Sequence, residues 1–162
     1  MSEPKIRQAE ERDIEDFRRI AMDAWRPIYA YYREAMGEDL YAREIPHEPL
    51  VRKADSIESF FRAHPEWIFI TELDGKVVGF CTYTLKDSGV GEIGNNGVDP
   101  SAQGHGIGAA QYDECLRRMR EAGMVHAKVG TGLDPAHAPA RRAYEKVGFK
   151  QIRPHVEFYM KL

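Results

Sequence analysis

Apolar residues recur at helical spacing just after the start of the chain, with Ile14, Phe17, Ala21 and Trp25 falling on one face. Asp13 is placed to cap that helix, which the pattern predicts to run to about Ala24 before Pro27 interrupts it. Lys5 to Gln8 reads as a short strand ahead of it. From Arg26 to about Pro46 the segment is rich in tyrosine (Tyr29, Tyr31, Tyr32, Tyr41) without clean periodicity, and a second helix is predicted over Glu48 to Ala63. Trp67 to Glu72 and Lys76 to Leu85 are β-rich and meet at Asp74-Gly75, a hairpin signal. A third strand, Val90 to Val98, carries Gly94-Asn95-Asn96-Gly97 at its centre, a poor strand former that predicts a β-bulge. Ile107 to Ala122 has Tyr112, Cys115, Leu116 and Met119 at helical spacing and Gly123 as its stop. Val125 to Gly130 reads as a strand and Ala138 to Val147 as a helix closed by Gly148. His155 to Leu162 alternates so cleanly, with Val156, Phe158, Met160 and Leu162 on one side, that a final strand is predicted there.

At 162 residues, without repeats, low-complexity tracts or linkers, the chain is expected to form one domain over 1–162. Its 43% apolar and 30% charged residues are ordinary for a globular protein, and a net charge of −3 offers no basic footprint for nucleic acid. A polar N-terminus and the absence of a long apolar run argue against a membrane and point to the cytoplasm. The two cysteines, Cys81 and Cys115, suit neither a disulfide framework nor a zinc site, and Cys115 falls on the core stripe of its helix. The six histidines form no metal-binding spacing, so no metal is expected.

Candidate chemistry begins at Val98-Asp99-Pro100-Ser101-Ala102-Gln103-Gly104-His105-Gly106-Ile107-Gly108-Ala109, a loop of alternating glycines that runs into a helix. Glycines let the backbone approach a ligand, and the unpaired N–H groups of a helix start favour an anion, so the loop is suited to a phosphate. A simple turn is the plainer reading. Gly104 to Ala109 also satisfies a dinucleotide-binding fingerprint, but four residues separate it from the preceding strand, and no carboxylate ends the next apolar run. A Walker A loop is excluded because no Lys-Ser or Lys-Thr follows.

Gln103-Gly104-His105-Gly106-Ile107-Gly108 resembles the Gln/Arg-x-x-Gly-x-Gly/Ala signature of the acyl-coenzyme A loop in the GNAT superfamily of N-acetyltransferases. Val98-Asp99-Pro100 is similar to that family's strand exit, and Ala140-Arg141-Arg142-Ala143-Tyr144-Glu145-Lys146-Val147-Gly148-Phe149 to the end of its fourth helix. The resemblance is clear over about residues 90–150. It implies an α+β fold with a mixed, mostly antiparallel, splayed sheet and helices on both faces. It also implies acetyl-coenzyme A as cosubstrate, held by Gly97, Val98, Gln103, Gly104, His105, Gly106, Ile107, Gly108, Ala109, His137 and Tyr144. His137 departs from the family, which usually has asparagine seven residues before the helix tyrosine.

The implied reaction is transfer of an acetyl group to a primary amine by direct attack in a ternary complex. A lysine-like amine has a pKa of ~10.4, so presenting it neutral at pH 7 costs roughly 5 kcal/mol unless a base or a desolvating pocket helps. Glu92 lies eleven residues ahead of Gln103, the offset of the catalytic glutamate in the histone-acetylating branch, and is the candidate base; otherwise it is an exposed strand carboxylate. Tyr144 is the candidate proton donor to the departing thiolate, or a buried core tyrosine. His105 contacts phosphate or is simply solvated. Tyr29, Tyr32 and Asn95 are assigned to the acceptor, a small-molecule amine, a peptide N-terminus or a lysine. The apolar C-terminal alternation is compatible with a homodimer. A non-catalytic coenzyme A sensor and a dinucleotide-binding protein remain the alternatives.

Overall fold

A computed structural model describes residues 3–162. It contains β1 (Lys5–Gln8), α1 (Ile14–Glu44), α2 (Pro49–Ala63), β2 (Ile68–Leu73), β3 (Lys76–Leu85), β4 (Val90–Val98), α3 (Ile107–Glu121), β5 (His126–Val129) and α4 (Ala138–Lys146), with short 3-10 turns between them. The strands lie in sequence order in one sheet, β1-β2-β3-β4-β5. Every pairing is antiparallel except β4 with β5, which is parallel.

Strand alternation divides the core between the two faces of the sheet. Ile68 and Ile70 of β2 and Phe80 of β3 pack with Phe17, Ile20 and Ala21 of α1 and Ile57 and Phe61 of α2. The intervening Phe69 and Cys81, with Tyr83 and Ile93, pack with Tyr112, Cys115 and Met119 of α3 and Tyr144 of α4. Each layer is fully dry at its centre, and such side chains contribute roughly 1.5–3 kcal/mol apiece on burial. This is the α+β sheet with helices on both faces that the sequence resemblance implies. Cys115 is buried in the core, its sulfur 3.5 Å from that of Cys81.

Two elements differ from expectation. Pro27 does not end α1, which continues to Glu44 and breaks its helical dihedrals only at Gly37 (φ 74°, ψ 161°). Phe17, Ile20 and Ala21 are buried in the core and Trp25 packs against it, so the packing of α1 up to the proline outweighs the one backbone bond that proline removes. The second departure is the C-terminus: residues 149–162 form no strand, and Phe158 is 92% exposed and Met160 80%. Alternation prepares a segment for a sheet but does not supply a ladder partner, without which a strand cannot satisfy its backbone.

Candidate active site

The predicted bulge is present in β4. Tyr83 faces Ile93 and Cys81 faces Asn96, so the single residue Thr82 opposes both Gly94 and Asn95. Thr82 Oγ1 donates to the Asn95 carbonyl at 3.2 Å. The extra residue shifts the alternation of β4. Asn95 and Gly97 face α1 and α2, where a Cβ on Gly97 would lie 2.9 Å from the Phe80 ring and 3.2 Å from Ile20. Asn96 faces α3 and α4 instead. β5 pairs only with Val90 to Ile93, so among the described residues the edge of β4 from Gly94 onward has no strand beside it. The sheet splays there.

The glycine loop lies at the end of this open edge. Asp99 holds its start: its carboxylate accepts from the Ser101 amide at 2.9 Å and the Ser101 hydroxyl at 2.6 Å, and pairs with Arg19 of α1 at 2.5 Å. These contacts, Ser101 first, lower the Asp99 pKa to about 2. Gly104 and Gly106 adopt positive φ (81° and 77°), and Gly106 is the residue from which α3 starts. A Cβ at either would meet nothing within 4 Å, so the space in front of the loop is open. The first turn of α3, Ile107 to Ala109, thus offers its unpaired N–H groups to a cleft of about 750 Å³.

That cleft collects most of the residues expected to bind the cofactor: Gly97 and Val98 of β4, Gln103, Gly104 and Gly106 to Ala109 of the loop and α3, and His137 and Tyr144 beyond. Asn95 also lines it. His137 is held by Asp134, whose carboxylate lies 2.6 Å from Nδ1 and accepts the His137 amide at 3.1 Å. Gln103 Nε2 donates to the Val98 carbonyl at 3.3 Å, tying the loop to the strand. Tyr112 donates to Asn96 Oδ1 at 2.9 Å, and Asn96 Nδ2 donates to the Tyr144 hydroxyl at 3.3 Å. Burial raises the pKa of both tyrosines, so both are protonated phenols at neutral pH.

Four expected site residues are not brought into this group. His105 turns back on its own loop, with Nδ1 3.2 Å from the Ala102 carbonyl, and does not line the cleft. Tyr29 and Tyr32 are also outside its lining; they pack edge to face with each other, and Tyr32 approaches the His137 ring at 6.5 Å. Glu92 is held by Lys86 at 2.5 Å and Lys128 at 3.0 Å, which keep its carboxylate pKa below the usual range, and it does not line the cleft. A carboxylate bracketed by two ammonium groups is a weak proton acceptor.

In their place the cleft shows residues that the sequence analysis did not assign to the site. Asn96 and Tyr112 form the network on Tyr144, and Trp25, Pro27, Ile28 and Lys53 also line the cleft. Lys53 could have been noticed as a lysine on the stripe that includes Ile57 and Phe61. Its contact with Asn95 bridges distant parts of the chain and leaves no local signal.

A model of the acetyltransferase (GNAT) family matches residues 15–149. The chain belongs to the GNAT acetyltransferase family. Among curated relatives it is similar to a mycothiol acetyltransferase of Thermomonospora curvata, 36% identical over 94 residues that make up 58% of this chain and 31% of that protein. A mycothiol acetyltransferase of Acidothermus cellulolyticus is 34% identical over 62% of this chain and 34% of its own length. The chain thus spans about a third of the length of these curated relatives. In fold it is similar to Ard1 from Thermoplasma volcanium (TM-score 0.68, 23% identity, 93% of this chain and 84% of that one). It is also similar to a GNAT acetyltransferase from Brucella melitensis crystallised with acetyl-CoA (TM-score 0.62, 21% identity, 92% and 84%). The family match covers the splayed strand, the glycine loop and Tyr144 together.

Proposed function

We propose that this chain is an N-acetyltransferase that uses acetyl-CoA to acetylate a primary amine by direct attack in a ternary complex. The observation that carries the reading is the juxtaposition of the open edge of β4, the glycine-started helix α3 and the Tyr144 hydroxyl in one cleft. Names and ligands of relatives support it: curated relatives are called acetyltransferases, and the Brucella melitensis protein was crystallised with acetyl-CoA.

The residues fit such a cosubstrate. The α3 N-terminus and the backbone from Gly104 to Ala109 would hold the pyrophosphate, each charge interaction there contributing ~0.3–1 kcal/mol. The unpaired edge of β4 would take the pantetheine arm as an added strand. Bound acetyl-CoA supplies the acetyl group as a thioester. A main-chain N–H near Val98 would stabilise negative charge on an acyl oxygen, and Tyr144 keeps a proton to give to a departing thiolate. Among the described residues no Asp or Glu lines the cleft, while Lys53 and Lys146 do. The acceptor amine attacks in its neutral form, its proton passing to solvent.

The test is calorimetric titration with acetyl-CoA, CoA, NAD and ATP, followed by thiol release across a panel of amines. Tight acetyl-CoA binding with turnover is expected. Tighter binding of NAD or ATP would assign the cleft to a nucleotide, and acetyl-CoA binding with no amine consumed would assign it to a sensor. The same proposal includes a homodimer formed through the exposed C-terminal segment, checked by comparing the sedimentation of the full chain with one ending at Gln151.

A further inference from the structure

Lys53 projects from α2 toward the sheet, where Nζ donates to Asn95 Oδ1 at 2.6 Å and sits 4.4 Å from the centre of the Trp25 ring. Its neighbours on the helix, Ala54 and Ile57, are fully buried. Burial pushes the Lys53 ammonium below its usual pKa range. Lys86 and Lys128 both pair with Glu92, but among the described residues Lys53 forms no ion pair with a carboxylate. A half-buried cation whose partners are an amide oxygen and an aromatic face is incompletely compensated, because neither carries the opposite charge.

The position of this charge is specific. Asn95 and Asn96 are adjacent on the bulge yet serve opposite faces: Asn95 receives Lys53 on the α1 and α2 side, and Asn96 holds Tyr144 on the α3 and α4 side. Lys53 enters the cleft from α2, whereas the phosphate cradle is built from the glycine loop and the first turn of α3. Its charge is therefore left for the acceptor. Lys53 has three N–H donors and spends one on Asn95, whose Oδ1 accepts it and leaves the Asn95 Nδ2 donors beside the ammonium. One positive charge flanked by a neutral amide donor matches a monoanion with two oxygens.

We infer that the cleft is built for an acceptor that carries a carboxylate as well as the amine, and that Lys53, with Asn95, is the subsite for that carboxylate. The inference rests on the acetyl-transfer reading of the same cleft and names the class of acceptor. Amino acids and short peptides with a free carboxylate belong to this class. Amino sugars without a carboxylate do not.

The experiment measures binding apart from turnover. The full chain, saturated with CoA, is titrated calorimetrically with the common L-amino acids, alanyl-alanine, and the carboxamide twin of each. In the pairs that bind, the carboxylate twin is expected to bind roughly tenfold tighter or more, as a charge-assisted contact in a partly desolvated site should give. Lys53→Met, which keeps the aliphatic stem on Trp25, should erase that difference, and Lys53→Arg, which keeps the charge, should retain it. Equal binding of the twins by the wild type, or an equal loss for both twins in Lys53→Met, would overturn the inference, as would failure of every carboxylate twin to bind. Thiol release from acetyl-CoA is then measured on the same pairs. A carboxylate preference without acetyl transfer would leave the subsite standing and count against the acetyltransferase reading alone.

Discussion

Asn96 Nδ2 donates to the Tyr144 hydroxyl oxygen over 3.3 Å. In that bond the phenol is the acceptor, so its own proton is not committed to it, and Asn96 is in turn fixed by the Tyr112 hydroxyl at 2.9 Å. The bulge creates this relationship, since without its extra residue the β4 alternation would aim Asn95 rather than Asn96 at α4.

Tyr144→Phe should therefore keep the ring packed against Tyr112 and Phe149 and keep most of the cofactor affinity. Turnover should fall by on the order of 10²-fold if the hydroxyl delivers a proton to the leaving thiolate. Steady-state kinetics beside a titration with CoA separates the two effects. Unchanged turnover would return Tyr144 to a purely structural role.

Gly106→Val tests the cradle. A β-branched residue at φ 77° is strained by roughly 1–2 kcal/mol, and its side chain would fill the open space before the first turn of α3. Affinity for acetyl-CoA should drop at least about tenfold while the far-ultraviolet spectrum of the folded protein is retained. A folded variant with the wild-type dissociation constant would sink the assignment.

Features written in short stretches of chain were legible in the sequence. The glycines of the loop, the Gly94 to Gly97 bulge and Gly123 and Gly148 as helix stops each act within a few residues, and the structure shows positive φ at Gly104, Gly106, Gly123 and Gly148. Features decided by distant partners were not. The helix through Pro27 depends on a packed sheet face, Lys53 finds Asn95 42 positions away, and Glu92 is bracketed by lysines from a turn and from β5. The C-terminal alternation failed for the complementary reason: its pattern is local, but a strand needs a neighbour.

The loop anchor should be visible in the pH dependence of stability. The Asp99 pKa lies at about 2, below an ordinary carboxylate, because Ser101 and then Arg19 favour the charged form. A depressed folded-state pKa stabilises the fold above the unfolded value near 3.8, and that contribution is lost as pH falls toward 2. Asp99→Asn keeps an oxygen for the Ser101 amide but loses the charge opposite Arg19. Denaturant unfolding should show the variant less stable by roughly 1–2 kcal/mol at pH 6, with the gap closing between about pH 4 and pH 2. A gap that stays constant down to pH 2 would assign the loss to packing instead.

Glu92→Gln distinguishes a charged scaffold from a catalytic base. The carboxylate is partly buried, bound to Lys86 and Lys128 and absent from the cleft lining, and its pKa is depressed chiefly by the Lys86 contact. A depressed pKa means the proton is accepted less readily, opposite to what a base for an ammonium nucleophile requires. The glutamine variant should keep acetyl-CoA affinity and lose less than about threefold in turnover at neutral pH, and its pH–rate profile should run parallel to that of the wild type. Some stability should be lost as two lysines are left facing a neutral amide, but exposed pairs contribute only about 0–1 kcal/mol. The opposite outcome is equally specific. A large fall in turnover at pH 7 that recovers as pH rises, when the acceptor amine sheds its own proton, would restore Glu92 as the base and require it to reach the cleft in the ternary complex.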